Sequence, residues 1–219
     1  MRSYKQNNIP PRDRYNRPIS DLRVSLLDQC NFRCTYCMPE REFHSEYQFL
    51  KKYQRLSHEE IFRIVKIAVE LGVTKVRLTG GEPLLDKNIS KLINLISQVK
   101  EIEDLALTTN GVLLRKHAND MMKAGLHRIT ISLDSIDEVI FNKMNGYRAS
   151  VREVLDGIEA AENAGFDKIK INTVIQRGVN DDSIVSLLDH FRGTGHIVRL
   201  IEFMDVGNQN DWKLDNVVT

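Results

Sequence analysis

The stretch Lys75–Asp86, KVRLTGGEPLLD, reads as a strand, a tight turn and the opening of a helix. Lys75–Thr79 alternates, with Val76 on one face and Arg77 and Thr79 on the other, the period of a β-strand. Gly80-Gly81-Glu82-Pro83 then closes the strand: glycines allow the backbone to approach a ligand, and proline suits the first turn of a helix. A plain strand-to-helix turn is the simpler reading of the same four residues.

Working outward, the pattern recurs. Candidate strands are Leu22–Leu27, Leu105–Thr109, Arg128–Leu133, Lys168–Val174 and His196–Phe203. Helical stretches start near Ser57, Asp86, Val112, Ser150 and Asp181, several with a Ser or Asp placed as N-cap. Strands separated by helical crossovers pair in parallel, so repeated units of about 35 residues predict an incomplete (β/α)6 TIM-like barrel, with a doubly wound sheet as the alternative. The longest irregular segment, Met38 to Leu56, exceeds what a connector needs and reads as a functional loop. The expected division is an extended arm over 1–20, a barrel domain over 21–207, and the start of a further region over 208–219.

Composition is that of an ordinary globular chain: 219 residues, 42% hydrophobic, 28% charged, with a formal net charge of +1. Near-neutrality argues against a globally basic nucleic-acid binder, so any anionic ligand needs a local cluster. The polar opening MRSYKQNNIPPRDRYNRP lacks the apolar core of a signal peptide, and no apolar run is long enough to span a membrane, which predicts a cytoplasmic protein.

A parallel strand buried on both faces should be almost continuously apolar. Here one face is polar: Arg23 and Ser25; Arg77 and Thr79; Thr108 and Asn110; Thr130, Ser132 and Asp134; Lys170 and Asn172. The alternate residues, including Val24, Val76, Ile129, Ile131, Ile169 and Ile171, suit packing against helices. Lys75, Arg128 and Lys168, near strand starts, could simply solvate a rim. Mid-strand Arg77 and Lys170 are harder to dismiss, because an unpaired buried cation is costly. A cavity lined by Arg23, Arg77 and Lys170 suits a polyanion, phosphate above all.

All three cysteines lie in Cys30-Asn-Phe-Arg-Cys34-Thr-Tyr-Cys37, directly after the first strand. Their odd number and close spacing argue for metal or redox chemistry rather than a disulfide framework. Three soft thiolates cannot complete a four-iron cluster that takes one cysteine per iron, so one iron stays open. The alternative is a zinc knuckle with His44 as fourth ligand, which would make the chain a zinc-stabilised binding domain without catalysis.

The cysteine motif with Tyr36 before its last member resembles the radical S-adenosylmethionine (SAM) superfamily. Asp21-Leu22-Arg23, Cys37-Met38-Pro39, Leu78-Thr79-Gly80-Gly81-Glu82-Pro83, Thr108-Thr109-Asn110-Gly111, Ser132-Leu133-Asp134 and Phe203-Met204-Asp205-Val206-Gly207 resemble its GTP 3',8-cyclase family of molybdenum cofactor biosynthesis. That resemblance implies a lyase that converts GTP to (8S)-3',8-cyclo-7,8-dihydroguanosine 5'-triphosphate. It implies a [4Fe-4S] cluster on Cys30, Cys34 and Cys37, and SAM held at Tyr36, Gly81, Ser132 and Met204. It also implies GTP held at Arg23, Arg77, Thr108 and Lys170, in agreement with the basic face read from strand periodicity. A radical SAM enzyme acting on another substrate remains the alternative.

The implied partners are an electron donor and an enzyme that takes the cyclised product onward, with monomer and homodimer both open. The resembled family also carries a C-terminal region with three further cysteines for a second [4Fe-4S] cluster, whereas the sequence to Thr219 has no fourth cysteine. The expectation is therefore either a truncated chain or a protein whose remaining part, with the second cluster, lies elsewhere.

Overall fold

The computed structural model describes residues 10–206 and 210–219. Residues 1–9 of the expected arm, and the expected domain boundary at Gly207, lie outside the described residues. Within the rest of that arm the chain folds back on itself, as Asp13 Oδ1 accepts from the amides of Tyr15 and Arg17 and Arg12 pairs with Pro18.

Six strands form one parallel sheet in sequence order: β1 (Asp21–Ser25), β2 (Lys75–Thr79), β3 (Asp104–Thr109), β4 (Arg128–Ser132), β5 (Lys170–Ile175) and β6 (Ile197–Glu202). β1 and β6 are its two edges among the described residues, so the sheet is an open, incomplete barrel rather than a closed one. The crossovers carry α1 (His58–Glu70), α2 (Ile89–Ser97), α3 (Leu114–Lys123), α4 (Glu138–Asn145), α5 (Val151–Asn163) and α6 (Ile184–Phe191). Strand ends differ from the sequence reading by one or two residues.

Helix α4 has no counterpart in that reading. Its N-cap is Asp137, whose carboxylate accepts from the amides of Val139 and Ile140, and it ends at Gly146 in the left-handed conformation (φ 75°). Only eight residues long, it buries Phe141, Met144 and Asn145, a pattern too short to stand out as periodic. The longer helices are better marked. Ser57 and Ser150 each close a capping box, with Glu60 and Glu153 respectively.

One face of every strand feeds the core. Val76, Leu78, Leu105, Leu107, Ile129, Ile131, Ile169 and Ile171 are buried against Leu92, Ile93, Ile96, Leu114, Met121, Val154 and Ile158 of the helices. Each such side chain contributes about 1.5–3 kcal/mol on burial. The other face is polar, and the register stacks it in layers. Arg23 lies opposite Arg77, Arg77 opposite Ala106, and Ala106 opposite Arg128. Thr108 lies opposite Thr130 and Thr130 opposite Lys170; nearer the carboxyl ends, Ser132 is opposite Asn172 and Asn172 opposite Arg199.

A buried carboxylate joins the carboxyl ends of three neighbouring strands. The Gly81 amide donates to Leu27 O and the Glu82 amide to Gln29 O, both at 2.7 Å, which stitches the turn after β2 to the loop after β1. A side chain at Gly81 is excluded, because its Cβ would lie 2.0 Å from Gln29 O. The Glu82 side chain, 1% exposed, accepts from Leu84 N (3.0 Å), Thr109 Oγ1 (2.6 Å) and Asn110 N (2.8 Å). Asn110 Nδ2 in turn donates to Asn31 Oδ1 at 2.7 Å. Burial pushes the Glu82 carboxyl above its ordinary range, and the three donors pull it back.

A Glu82→Gln substitution would set an amide NH2 against one of these donors. A mispaired buried donor costs about 1–3 kcal/mol, so the variant should unfold at lower denaturant with an unchanged m-value, as equilibrium urea unfolding would read.

Candidate active site

The cysteine loop runs across the carboxyl end of β1 and is pinned on both sides. Phe32 enters the core and meets Phe141 of α4 edge-on, with ring centroids 6.2 Å apart. Backbone bonds of 3.0 Å run from Arg33 N to Asn145 O and from Thr35 N to Met144 O. The Arg33 guanidinium turns back to accepting carbonyls of Cys30, Phe32 and Phe43. Cys37 N and Met38 N both donate to Cys34 O, so Cys34–Met38 is a helical turn.

Cys30 and Cys34 are half-buried and Cys37 is exposed, and none forms a disulfide. Burial pushes the Cys30 thiol up to about 11, and it raises those of Cys34 and Cys37 as well. Cys34 feels the charges of both Cys30 and Cys37, and Cys30 that of Cys37. Without a metal they are neutral thiols; they become thiolate ligands when a cationic centre compensates that charge. Among the described residues, no three Cys, His, Asp or Glu side chains converge on a point that could hold a single ion. His44 is exposed, and its Nδ1 accepts from the Glu46 amide. The zinc-knuckle alternative is therefore not assembled. Three soft donors spread along a pinned loop fit a larger iron-sulfur body with one position left for another ligand.

The residues expected at SAM surround this loop. Gly81 touches it directly; the close approach it permits in this structure is that of the loop backbone at Gln29. The Tyr36 hydroxyl donates to Asp134 Oδ2 at 2.8 Å, while Asp134 Oδ1 accepts from Val174 N at 2.9 Å. Burial raises the Asp134 carboxyl to about 6 against the pull of these donors. Asn210 Nδ2 bridges Tyr36 O (3.0 Å) and Met204 O (2.9 Å), which brings Tyr36 and Met204 together. Ser132, half-buried, ends β4 two residues before Asp134.

The residues expected at GTP lie on the polar face. Thr108 sits mid-sheet, half-buried. Arg23 is exposed, while Arg77 and Lys170 are half-buried. Burial, followed by the charges of Arg23, Arg128 and Arg199, lowers the proton affinity of Arg77; burial, Arg128, Arg199 and Arg77 do the same to Lys170. Arg128 pairs with Asp104, which it holds below the usual carboxylate range, so it is more than rim solvation; Lys75 and Lys168 are exposed. Two buried atoms on this face, Arg77 Nε and Asn172 Oδ1, have no hydrogen-bond partner. A cavity of about 150 Å³ opens between Arg23, Arg77, Arg128, Asp21, Lys75 and Asp104. From Arg128 to Ser132 is four residues along the strand, roughly 13 Å, over which the polar face continues.

Sequence reasoning missed Arg199, Glu82, Asn31 and the Asp134–Tyr36 bond. Arg199 shares the polar-face period, but Ile197 and Ile201 on the same face hid it. The remaining contacts are tertiary. Two histidines have structural partners: His58 bonds Asp86, and His127 Nδ1 accepts from Leu105 N. Trp212 Nε1 donates to Phe203 O as a packing residue.

Comparison with known proteins agrees with this geometry. Residues 24–191 match the Radical SAM superfamily. A "GTP 3',8-cyclase" of Xanthomonas axonopodis pv. citri is 52% identical over 210 residues, which are 96% of this chain and 63% of that protein. A Staphylococcus epidermidis protein of the same description is 48% identical over 207 residues, covering 94% of this chain and 61% of its own length. The chain thus spans less than two thirds of these relatives. Among solved structures, anSMEcpe with bound AdoMet superposes with a TM-score of 0.67 at 19% identity, covering 92% of this chain and 54% of that one. Methylornithine synthase (PylB) gives 0.66 at 18%, covering 89% and 56%. These two show the fold alone. With a three-cysteine loop set on the carboxyl end of an open parallel barrel, and with the family match spanning most of it, the chain belongs to the radical SAM superfamily.

Proposed function

We propose that this chain carries out the SAM-dependent radical step of a GTP 3',8-cyclase, a lyase forming (8S)-3',8-cyclo-7,8-dihydroguanosine 5'-triphosphate in molybdenum cofactor biosynthesis. Its cofactors are a [4Fe-4S] cluster and SAM. The observation that carries the substrate reading is the cationic group Arg23, Arg77, Lys170 and Arg199 on the sheet face below the cysteine loop, with Arg77 Nε buried and unpartnered. Half-buried cations that repel one another are stabilised by a polyanion, and a triphosphate supplies the charge and the acceptors.

In this reading Cys30, Cys34 and Cys37 hold the cluster. Gly81 and Ser132 border the SAM pocket, Tyr36 is fixed by Asp134, and Met204 is fixed to Tyr36 through Asn210. When bound, the cofactors supply reductive cleavage of SAM and abstraction of a hydrogen atom. The chain's own residues do the placing: Arg23, Arg77 and Lys170 grip the phosphates, and Thr108 offers a hydroxyl between them and the loop. The ribose is thereby held within near-attack distance while water is excluded.

The reading includes an electron donor, an enzyme that consumes the cyclised product, and a homodimer as one of two open assembly states. No helix among the described residues is long and apolar enough to cross a membrane, and we place the reaction in the cytoplasm.

Anaerobically reconstituted chain, reduced with dithionite, should convert SAM to 5'-deoxyadenosine, and a Cys30→Ala variant should not. With GTP deuterated at ribose C3', the deuterium should appear in the 5'-deoxyadenosine. Cleavage without that transfer would leave GTP unsupported as the substrate of this chain, and no cleavage above the variant would refute the radical reading.

A separate expectation concerns the cations. Each charge-assisted hydrogen bond contributes about 1.5–3 kcal/mol, so Arg77→Ala should weaken triphosphate binding by roughly 10- to 100-fold. GTP and ATP should lose equally in calorimetric titrations, because Arg77 meets phosphate and not the base.

A further inference from the structure

The amino ends of the strands close the polar face with a layer of different charge. Asp21 lies opposite Lys75 and Lys75 opposite Asp104, one alternation before the layer of Arg23, Arg77, Ala106 and Arg128. Asp104 is half-buried and takes both prongs of the Arg128 fork: Nε donates to Oδ1 at 2.6 Å, and Nη2 donates to Oδ2. That hydrogen bonding lowers the Asp104 carboxyl and raises Arg128, so the pair stays charged at neutral pH.

These residues share one cavity with the cations that face the nucleotide. Asp21, Lys75, Asp104 and Arg128 line the same space of about 150 Å³ as Arg23 and Arg77. The arginines differ in what they offer it. Arg77 Nε is buried and has no hydrogen-bond partner, whereas the Arg128 fork is filled by Asp104. Arg128 is nonetheless within electrostatic reach of the anion-holding group. Burial comes first in lowering the proton affinity of Arg77 and of Lys170, and the charge of Arg128 adds to it in both. Higher on the face stand Arg23, Arg77, Lys170 and Arg199; at the amino end, Asp21 and Asp104 balance Lys75 and Arg128. The excess of positive charge therefore ends at Asp104.

We infer that Asp104 is a specificity-determining residue, which fixes how long a polyphosphate the face accepts by holding Arg128 out of the anion site. The inference deepens the triphosphate reading and rests on it. A phosphate gripped by Arg23 and Arg77 is the last to meet unfilled donors. One further along would meet a carboxylate, which can only accept, and an arginine whose fork is taken. Without Asp104, Arg128 would extend the site by one cation, and a longer polyanion would gain from it.

The test compares GTP with guanosine 5'-tetraphosphate by anaerobic calorimetry on the reconstituted, SAM-loaded chain, at one low ionic strength and without divalent cations. Charge alone favours the tetraphosphate on a cationic face. The parent chain should instead bind it no more tightly than GTP. In Asp104→Ala the tetraphosphate should tighten by about tenfold or more, while GTP changes by less than about threefold. In Asp104→Ala/Arg128→Gln that gain should vanish and GTP should stay within about threefold of the parent, because the released cation is gone.

A parent chain that binds the tetraphosphate more tightly than GTP would overturn the assignment. An Asp104→Ala variant that tightens both nucleotides equally would also do so, since the carboxylate would then act only through net charge. A gain that survives in the double variant, or loss of GTP binding in Asp104→Ala, would have the same consequence. So would magnesium that tightens GTP in the parent chain but not in Asp104→Ala, which would make the carboxylate a cation ligand. Binding of neither nucleotide by the parent chain would instead sink the triphosphate reading, and this inference with it.

Discussion

The buried carboxylate of Glu82 is the interaction on which the site depends. It takes hydrogen bonds from the end of β3 through Thr109 and Asn110, while its own amide holds Gln29 at the base of the cysteine loop. Asn110 then reaches Asn31 within the loop itself. Hydrogen bonds to a charged buried acceptor are worth more than neutral ones, and leaving any of them unmade costs the full desolvation of the donor. The loop is therefore set on the sheet by the protein alone, so cluster binding does not have to supply the whole ordering cost of the ligand segment.

Below that latch, the sheet departs from the usual filled barrel. Its helix-facing side follows ordinary packing, but the facing layers carry Arg23, Arg77, Arg128, Lys170 and Arg199 with Asp104 as the paired counter-charge. Such a face is a local cost to folding, tolerated because the hydrophobic core on the opposite side is continuous from β2 to β5. A cavity kept polar and cationic is ready for a polyanion without rearrangement. Along the strands, Arg23, Arg77 and Arg128 share one layer, Lys170 lies opposite Thr130 in the next, and Arg199 lies in the layer of Ser132 and Asn172, so the cations run up the face towards the carboxyl ends where the cysteine loop sits.

Much of this was legible in the sequence for a physical reason. Strand period and helix caps are local, so Val76 and Leu78 against Arg77 and Thr79 declared both the strand and its two faces, and Ser57 and Ser150 declared two helix starts. The cysteine spacing is likewise local, and it carried the donor set. Three kinds of feature were not legible. Helix α4 is too short for a periodic signal, although Asp137 and Gly146 mark its ends. Glu82, Asn31 and Asp134 act through partners 27 to 98 residues away in sequence, which no window captures. The close approach of Gly81 to Gln29 is likewise a tertiary contact, invisible in the turn sequence itself.

The central claim is that the latch exists before any metal arrives. Amide hydrogen exchange on the cluster-free chain tests it most directly, because Gly81, Glu82 and Asn110 each donate their amide within the latch. The account predicts that these three amides exchange as slowly as those of β2 and β3 in the absence of iron and SAM. Exchange at the rate of exposed turn residues, with protection appearing only after cluster assembly, would contradict it and would make the metal, not Glu82, the element that orders the loop.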